Sequence, residues 1–489
     1  MNTRANHRVQ NGAQNRSGHA VVLGGSIAGL LAARVLSDHF ERVTLIERDA
    51  YPETPQTRKG TPQANHVHGM LVRGRQILED LFPGMQDEMI AAGAPEVDLA
   101  KEVAWFTPAG LGVRYESDLN VLSFTRPLLD YHMRRRIAQN SRIEVLDNTE
   151  VVRLLPDSTE DRLAGVLICP RVSEEDRRVA TELPADLIVD ATGRASRAPR
   201  WLEDLGYEKP KETVVNAHLG YASRLYRVPE DFEADWKCAF IQAAPPEQKR
   251  GAIIFTVEDR RWLVTLIGGG HDYPPADEAG FLEFLRGLPV STIYDAVSRA
   301  ESVSPIKTHR STENRLRQFE RVNRLPDNLL LLGDSVCAFN PVYGQGMTIA
   351  ALGAQALQQI LSERNGNLTG LARRFQKRLA KINEAPWMMA TAQDYRYRET
   401  AGGAPGARTR FMHRYMDRVV QLATQSVPVR EVLLRTFNML LPPSTLFRPR
   451  VSFRVIMQVL RPVRTTRIRE IGYTQFRVMR GPSHRSTPS

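Results

Sequence analysis

Apolar and polar residues alternate in short blocks after a polar, basic start to the chain. Residues 19–23 form a continuous apolar run, and residues 30–36 place small side chains on one side of a helical pattern. Residues 43–46 form a second apolar run that ends at Glu47. A short strand, a helix and another short strand make a βαβ unit, so the pattern predicts an α/β start.

Two more apolar runs lie far downstream, and each ends in a turn of small and polar residues. Residues 186–190 lead into Asp190-Ala-Thr-Gly193, and residues 328–332 lead into Gly333-Asp334. The alanine-rich residues 349–361 then predict a buried helix. These runs fit further strands of the same parallel sheet.

From about residue 214 the pattern changes to alternating, strand-like runs. Residues 214–228 predict one strand. Residues 252–257 and 262–267 predict a second and a third, joined by the polar turn 258–261. We expect these strands to form a sheet, one face of which lines a pocket.

The last part of the chain is helical in pattern and strongly basic. Residues 376–480 predict helices broken by prolines, and residues 451–460 are amphipathic. The net charge is +11, and the residues from 411 onward hold 14 Arg, no Lys and three acids, so the rest is balanced. This pattern is typical of an arginine-rich helical cap, or of a surface for an anionic membrane or an acidic carrier protein. No nucleic-acid-binding motif accompanies it, so we expect no nucleic acid partner.

Composition excludes several other classes of protein. A chain of 489 residues predicts about two to four domains. The three cysteines, Cys169, Cys238 and Cys337, have no paired spacing, so neither a disulfide framework nor a metal site is expected, and a cytoplasmic location is favoured. No run of 18 or more uncharged apolar residues occurs, so we predict no transmembrane span, and at most peripheral membrane contact.

The sequence Gly24-Gly-Ser-Ile-Ala-Gly29 joins the first predicted strand to its helix. Gly24 permits a tight turn, Gly29 permits close packing, and the N–H groups of the helix N-terminus suit a pyrophosphate. Ser26 replaces the second glycine of the dinucleotide fingerprint but is still small. Glu47, 18 residues after Gly29, is expected to accept hydrogen bonds from an adenosine ribose. The acid favours FAD or NAD over NADP; a purely structural turn is the alternative.

Residues 333–347 have the acceptor and the open backbone that a flavin requires. Asp334, at a strand end, can accept hydrogen bonds from the ribityl hydroxyls of a flavin, and the turn Gly344-Gln-Gly346 lets backbone N–H groups reach the pyrimidine ring. The helix that starts there would stabilise the anionic reduced ring by about 0.3–1 kcal/mol. Alone, the segment could be an ordinary strand-to-helix loop; downstream of the glycine turn it indicates FAD.

The three motifs together resemble those of the p-hydroxybenzoate-hydroxylase-type FAD-dependent monooxygenases. In that superfamily a first glycine motif, a middle Asp-Gly-type motif and a late Gly-Asp motif serve one FAD. The Asp190-Ala-Thr-Gly193 variant resembles the branch that contains geranylgeranyl reductases, flavin halogenases and olefin epoxidases. The Trp-x-Trp-x-Ile-Pro motif of the halogenases is absent.

Further segments resemble the polyene and polyether epoxidases of that branch. These are residues 58–63 (Arg-Lys-Gly-Thr-Pro-Gln) with His66 and His68 after them, and the C-terminal residues around Asp394. Arg126 matches the superfamily's arginine at a helix start, which contacts FAD. The resemblance covers residues 19–460.

The motifs and the resemblance imply a set of site residues. The cofactor-binding set is Gly24, Ser26, Ile27, Ala28, Gly29, Glu47, Arg48, Arg58, Arg126, Val152, Asp190, Gly193, Gly333, Asp334, Pro341, Gly344, Gln345, Gly346 and Met347. Candidates for the substrate pocket are His66, His68, Tyr221, Phe255 and Trp262. For the last three the pattern favours packing in the core of the sheet, and for the two histidines it favours packing or hydrogen bonding near the flavin. No catalytic side chain is predicted, because the flavin carries the chemistry.

The predicted fold class is α/β, and α+β overall. We expect a discontinuous Rossmann-like FAD-binding domain, a β-sheet substrate domain and a helical C-terminal region. The predicted bounds are 1–18 for a disordered tail, 19–85, 111–205 and 310–375 for the FAD-binding domain, 86–110 and 206–309 for the substrate domain, and 376–489 for the arginine-rich helical region.

The resemblance implies a monooxygenase of secondary metabolism. It would reduce FAD with transiently bound NADPH or NADH, form a flavin hydroperoxide with O2, and insert one oxygen atom into an apolar polyene, polyketide, terpenoid or phenol. The absence of an obvious buried acid–base group favours olefin epoxidation over aromatic hydroxylation. The alternatives are a geranylgeranyl-reductase-like reductase of isolated double bonds, and a non-catalytic flavin-bearing redox or binding protein.

Overall fold

The computed structural model describes residues 18–158, 161–171, 179–364 and 366–460. The predicted tail of residues 1–18 lies outside this part of the chain except for Gly18. The end of the basic C-terminal region, residues 461–489, also lies outside it.

Strands and helices are numbered along the chain. The strands are β1 (His19–Leu23), β2 (Arg42–Ile46), β3 (Glu96–Asp98), β4 (Val103–Thr107), β5 (Gly110–Leu111), β6 (Asn120–Leu122), β7 (Ile143–Leu146), β8 (Thr149–Pro156), β9 (Leu163–Pro170), β10 (Thr181–Pro184), β11 (Leu187–Asp190), β12 (Glu212–Val215), β13 (Gly220–Arg227), β14 (Cys238–Ile241), β15 (Arg250–Val257), β16 (Arg261–Gly268), β17 (Lys307–His309), β18 (Asn314–Arg317), β19 (Leu329–Leu331) and β20 (Cys337–Ala338). The helices are α1 (Ile27–Leu36), α2 (Val72–Leu81), α3 (Met85–Ala91), α4 (Arg126–Ala138), α5 (Ala198–Asp204), α6 (Glu278–Arg286), α7 (Thr292–Val297), α8 (Gly346–Arg364), α9 (Leu371–Asp394), α10 (Ala407–Ala423), α11 (Val427–Phe437) and α12 (Pro449–Leu460).

A five-stranded parallel sheet with the order β19-β11-β1-β2-β7 forms the base of the molecule. Its central strands are fully buried, which is why they are continuous apolar runs in the sequence. The strands predicted at 19–23, 43–46, 186–190 and 328–332 are confirmed to within a residue or two at their ends, and the mixed α/β class is confirmed. Because these strands are parallel, the loops after β1, β11 and β19 meet at one edge.

The second large sheet has seven strands in the order β17-β13-β16-β15-β14-β4-β5. The predicted antiparallel pair is confirmed as β15 and β16. The predicted single strand 214–228 is wrong: a turn with His218 at a φ of 50° divides it into β12 and β13. β12 pairs instead with β18 in a small separate sheet.

The two faces of this sheet have different neighbours. The outer face carries Trp262, Ile254 and Val264, which pack with Phe281 of α6 in one apolar cluster. Trp262 is 1% exposed there. Trp262 therefore does not line a pocket on the inner face, as the candidate list had it. Side chains alternate along a strand, and the register places Trp262 on the face opposite Phe255.

Helices α10, α11 and α12 form a C-terminal layer over the β4 and β14 edge of this sheet. Val419, Leu433 and Val455 pack there with Trp105 of β4. The guanidinium of the buried Arg430 lies 4.9 Å from the centre of the Trp105 ring. The predicted helical character is confirmed as far as Leu460. Within the residues described, no helix has the length and apolarity needed to cross a bilayer.

We expect Trp262→Ala to lower the free energy of unfolding by about 3–5 kcal/mol, because it empties a large core position. Urea denaturation measures the change. Val303, 38% exposed, provides a surface control, and its replacement by alanine should stay within about 0.5 kcal/mol of wild type. A Trp262→Ala protein as stable as the Val303 control would contradict the core placement.

Candidate active site

The loop after β1 and the start of α1 are built on two glycines. Gly24 has a φ of +93°, and a Cβ there would lie 2.7 Å from the carbonyl oxygen of Ala191 in the loop after β11. A Cβ on Gly29 would overlap the carbonyl oxygen of Gly24. Ser26 occupies the N-cap of α1 but makes no capping hydrogen bond. The N–H groups of the first helical turn therefore have no side-chain acceptor, as a phosphate-binding helix end requires.

Arg126, the first residue of α4, lies beside the N-terminus of α1. Its Nη2 donates to Ser26 Oγ at 2.9 Å, and its Nε donates to Asp130 Oδ1 at 2.8 Å. Asp130 thus fixes the guanidinium where α1 presents its N–H groups. A guanidinium and a helix N-terminus at one point suit an anionic group such as pyrophosphate.

Glu47 lies under the glycine turn at the end of β2. Its carboxylate accepts from Gly25 N at 2.8 Å and lies 3.0 Å from Arg58 Nη1. Tyr51, which sequence reasoning missed, donates its hydroxyl to Gly25 O at 2.8 Å. The guanidinium groups of Arg58 and Arg134 lie 5.0 and 4.7 Å from the centre of its ring. Burial raises the pKa of Tyr51, so this phenol stays neutral.

The loop after β19 presents Asp334 next to three glycines. The Asp334 carboxylate is half-buried, and no described residue donates a hydrogen bond to it. A Cβ on Gly193 would lie 3.9 Å from Asp334 Cβ, a Cβ on Gly346 would lie 4.0 Å from Asp334 Oδ1, and one on Gly344 would meet nothing within 4 Å. We call Gly193, Asp334, Gly344 and Gly346 the glycine cradle.

The glycine cradle has the properties of a flavin site. Burial raises the pKa of Asp334 despite nearby arginines, so its carboxylate needs donors. The side-chain oxygen of Gln345, between the last two glycines, is also buried without a partner in the described structure. Open backbone, a carboxylate acceptor and the N-terminus of α8 fit the ribityl hydroxyls and pyrimidine ring of FAD.

Asp190 supports this site from beneath. It is 0% exposed, and its two oxygens accept from Thr192 N, Thr192 Oγ1 and Ser196 Oγ at 2.6–2.8 Å. Ser335 Oγ, 3.3 Å from Asp190, accepts from Gly193 N at 2.9 Å. Asp190 thus ties the loop after β11 to the loop after β19, a positioning role that the sequence motif did not reveal.

His66 and His68 lie against the inner face of the seven-stranded sheet. His66 Nδ1 is 2.7 Å from Ser223 Oγ, and Val67 N donates to Thr265 Oγ1 at 3.0 Å. Burial lowers the pKa of His66 to about 3 and that of His68 to about 4, so both imidazoles are neutral at neutral pH. His68 Nδ1 lies 2.9 Å from the His66 carbonyl and must carry the proton, which leaves its Nε2 as an acceptor.

The same sheet face is joined to the loop of residues 340–346. Tyr221 OH donates to Asn340 Oδ1 at 2.5 Å and accepts from Val342 N at 3.0 Å. Tyr221 is buried beneath the loop, whereas Phe255 is half-buried and lies 4.0 Å from a Cβ built on Gly69. Ile253 and Phe240 lie on the same face of the sheet as Phe255, and Phe240 and Val342 of the loop pack against the cluster that contains Tyr221. Phe255, Ile253 and Phe240 therefore form an apolar wall beside the loop, and Tyr221 supports the loop.

Asp394, at the end of α9, is a buried carboxylate behind this loop. It is 0% exposed and accepts from Tyr343 OH at 2.5 Å, Asn314 Nδ2 at 2.6 Å and Asn340 Nδ2 at 3.4 Å. Burial raises its pKa to about 7, against the opposing effect of these donors. The sequence marked Asp394 only through the resemblance; its partners are 51–80 residues away, so no local motif could show the cluster.

The structure brings most of the predicted residues to one edge of the parallel sheet. Ala28 lies against Gly333, where a Cβ would be 2.8 Å from its own Cβ. Val152 sits in β8 where the pairing with β9 is irregular. Arg48 is largely exposed beside Asp49. For these residues and for Ile27, Pro341 and Met347, cofactor contact stays a prediction.

Comparisons with known proteins agree with this geometry. Residues 18–373 match the FAD binding domain family. Protein Rv3254 of Mycobacterium tuberculosis is 32% identical over 436 residues, which cover 87% of this chain and 90% of that protein.

Solved structures with the same fold include three flavoproteins. The flavin-dependent brominase Bmp2 has a TM-score of 0.65 at 14% identity and covers 91% of this chain and 99% of its own. The myxobacterial chondrochloren halogenase CndH has a TM-score of 0.60 at 16% identity, and the match covers 87% of this chain and 97% of that one. PqsL of Pseudomonas aeruginosa, a probable FAD-dependent monooxygenase, has a TM-score of 0.56 at 17% identity. The match covers 78% of this chain and 96% of that one.

We expect Asp334→Ala to purify with little FAD, because the ribityl hydroxyls lose their carboxylate acceptor. The ratio of flavin absorbance to protein absorbance measures the loss. Asp204→Ala, at an exposed position of α5, is the matched control and should keep wild-type flavin content. Full flavin in both proteins would show that the Asp334 assignment is wrong.

We expect Asp394 to make stability depend on pH. Its folded pKa of about 7 lies above the ordinary value of 3.8, so the folded state binds this proton more tightly than the unfolded state. Stability from this group is therefore present at low pH and is lost as pH rises from about 4 through 7. Between pH 5 and 7 the loss is on the order of 2 kcal/mol.

Asp394→Asn tests this directly, because it removes the titration and keeps the size. Denaturant unfolding at several pH values should show a weaker decline between pH 5 and 7 than wild type, while Asp204→Asn follows wild type. Equal slopes for Asp394→Asn and wild type would contradict the raised pKa.

Proposed function

The chain belongs to the FAD binding domain family, and from this we propose that it is an FAD-dependent monooxygenase acting on an apolar natural-product substrate. It inserts one oxygen atom of O2 into a polyene, polyketide, terpenoid or phenol, with NADPH or NADH as the reductant. When bound, FAD supplies the redox chemistry with the nicotinamide and with O2.

The observation that carries the proposal is the position of the inner sheet face against the glycine cradle and its loop. Tyr221 bonds to the loop, His66 bonds to Ser223 on the same face, and Phe255 lies beside Gly69. An apolar wall next to the flavin site suits an apolar substrate and keeps water from the reacting atoms.

The protein's own residues have defined tasks in this proposal. The N-terminus of α1 and Arg126 hold the pyrophosphate, and Asp334 accepts hydrogen bonds from the ribityl chain. His68 Nε2 is an acceptor that can orient a substrate hydroxyl, and the apolar wall positions the carbon to be oxidised.

The site also bears on the choice between epoxidation and hydroxylation. Sequence reasoning favoured epoxidation because no buried acid–base group was evident. Asp394 is such a group, and it contacts the half-buried Tyr343 of the loop. A phenol substrate benefits from a base within hydrogen-bond reach, and the fully buried Asp394 reaches the site only through the hydroxyl of Tyr343, so the proposal includes both aromatic hydroxylation and olefin epoxidation. The resemblance of residues 58–68 to the polyene and polyether epoxidases supports olefin epoxidation.

The experiment is oxygen consumption by the purified yellow protein with NADPH or NADH and a panel of polyenes and phenols. We expect a product that carries one ¹⁸O atom when ¹⁸O2 is supplied, with uptake of O2 only when a matching substrate is present. Asp334→Ala, which lacks the flavin, is the matched control and should consume none.

Each rival predicts a different result. A geranylgeranyl-reductase-like enzyme gives a saturated product without substrate-linked oxygen uptake. A non-catalytic flavin-bearing protein gives no turnover with either reductant. Either result would replace the monooxygenase proposal.

A further inference from the structure

Helix α12 has two apolar faces, and the described part of the chain covers one of them. Val451 and Val455 are 5% and 6% exposed and pack in the C-terminal layer. On the opposite face, Phe453 and Ile456 are 64% and 57% exposed. A helix at the surface of a globular protein ordinarily has a polar outer face, so the packing of the protein itself does not explain these two side chains.

The exposed face of α12 continues onto α10. Tyr415 of α10 stacks on Phe447 with ring centres 4.7 Å apart, and its hydroxyl lies 3.3 Å from Ser452 Oγ. Phe411 lies one turn before Tyr415, and Ile456 one turn after Ser452. We call Phe411, Phe447, Phe453 and Ile456 the aromatic surface.

The exposed large apolar side chains are concentrated in the C-terminal helices and the turn before α12. The four members of the aromatic surface are half of the eight large hydrophobic side chains that the described part of the chain exposes, and they lie within 46 residues. A clustered exposed patch marks an interaction site more often than single exposed residues do.

Positive charge surrounds this surface. The exposed arginines of the same two helices and their flanks are Arg408, Arg410, Arg414, Arg418, Arg448, Arg450 and Arg454. The acids between residues 407 and 460 are Asp417 and Glu431, and they pair with Arg396 and Arg435. Within the described residues, none of the seven exposed arginines has a carboxylate partner.

We propose that α10, α12 and the turn between Pro443 and Phe447 dock on an anionic lipid surface. The aromatic surface enters the headgroup region, and the flanking arginines contact lipid phosphates. Arginine and phenylalanine on adjacent helices suit this boundary, because the long cationic side chains reach the phosphates while the rings lie deeper.

The positive charge of the chain's own C-terminal residues argues against them as the partner of this surface. Residues 461–489 hold seven arginines and one acid, so they have the same sign as the surface. An acidic protein partner would neutralise the arginines, but it leaves four large apolar side chains to be matched. A bilayer supplies both the anionic and the apolar contact.

The inner side of these helices connects the proposed docking surface to the proposed active site. Phe240 of β14 packs against the C-terminal layer and also against the cluster that contains Tyr221. The apolar wall of the proposed site is therefore continuous with the layer that faces the lipid. Docking itself needs no cofactor, so it stands or fails separately from the proposed oxygenation.

The test is co-sedimentation of the full-length, flavin-containing protein with lipid vesicles. We expect binding to phosphatidylcholine vesicles that contain phosphatidylglycerol to be at least about tenfold stronger than binding to phosphatidylcholine alone, since each arginine near the surface adds to the attraction. High salt should weaken it. Equal binding to the two vesicles, or no binding, would overturn the proposal.

Variants locate the surface. Phe453→Asp with Ile456→Asp should lower binding to the anionic vesicles by about tenfold or more, with flavin content and thermal midpoint unchanged, because both side chains are exposed. Ile90→Asp, 46% exposed on α3, is the matched control and should bind as wild type. Wild-type binding by the double variant, or loss of binding only after deletion of residues 461–489, would overturn the assignment to α12.

Discussion

The site depends on the buried carboxylate of Asp190. Its hydrogen bonds to Thr192, Ser196 and Ser335 fix the loops after β11 and β19 against each other. A buried carboxylate is tolerated only when its oxygens are satisfied, so the two loops have little freedom to separate. Gly24 then fits against Ala191 of the first loop, and Asp334 projects from the second. The shape of the glycine cradle follows from this one arrangement.

The seven-stranded sheet encloses the site from the other side, and it is held there by polar contacts. His66 to Ser223, Val67 to Thr265 and Tyr221 to Asn340 connect the inner face to two segments of the flavin-binding part. Burial keeps both histidines neutral, so these contacts bring no net charge next to the apolar wall. Asp394, whose pKa burial raises to about 7, lies behind the loop rather than on the wall.

The features that the sequence predicts correctly are those that depend on consecutive residues. The turn from Gly24 to Gly29 was predicted correctly, because a strand end, a tight turn and a helix start are local events with their own residue preferences. The strand pair of β15 and β16 was predicted for the same reason. Alternation shows that a strand has two faces but not which face meets the cofactor, so Trp262 was among the pocket candidates although it lies on the face opposite Phe255.

The sequence by itself determined the parallel sheet, the glycine turn, the Gly-Asp strand end and the basic charge of the C-terminal region. Tertiary structure alone decided that Asp190 is a support for two loops, that Tyr51 covers Gly25, and that Asp394 lies behind residues 340–343. It also decided that Phe453 and Ile456 face outward. The reason is physical: turn chemistry is set by neighbours along the chain, whereas burial and hydrogen bonds between residues 26 to 145 positions apart depend on how the sheets and helices pack.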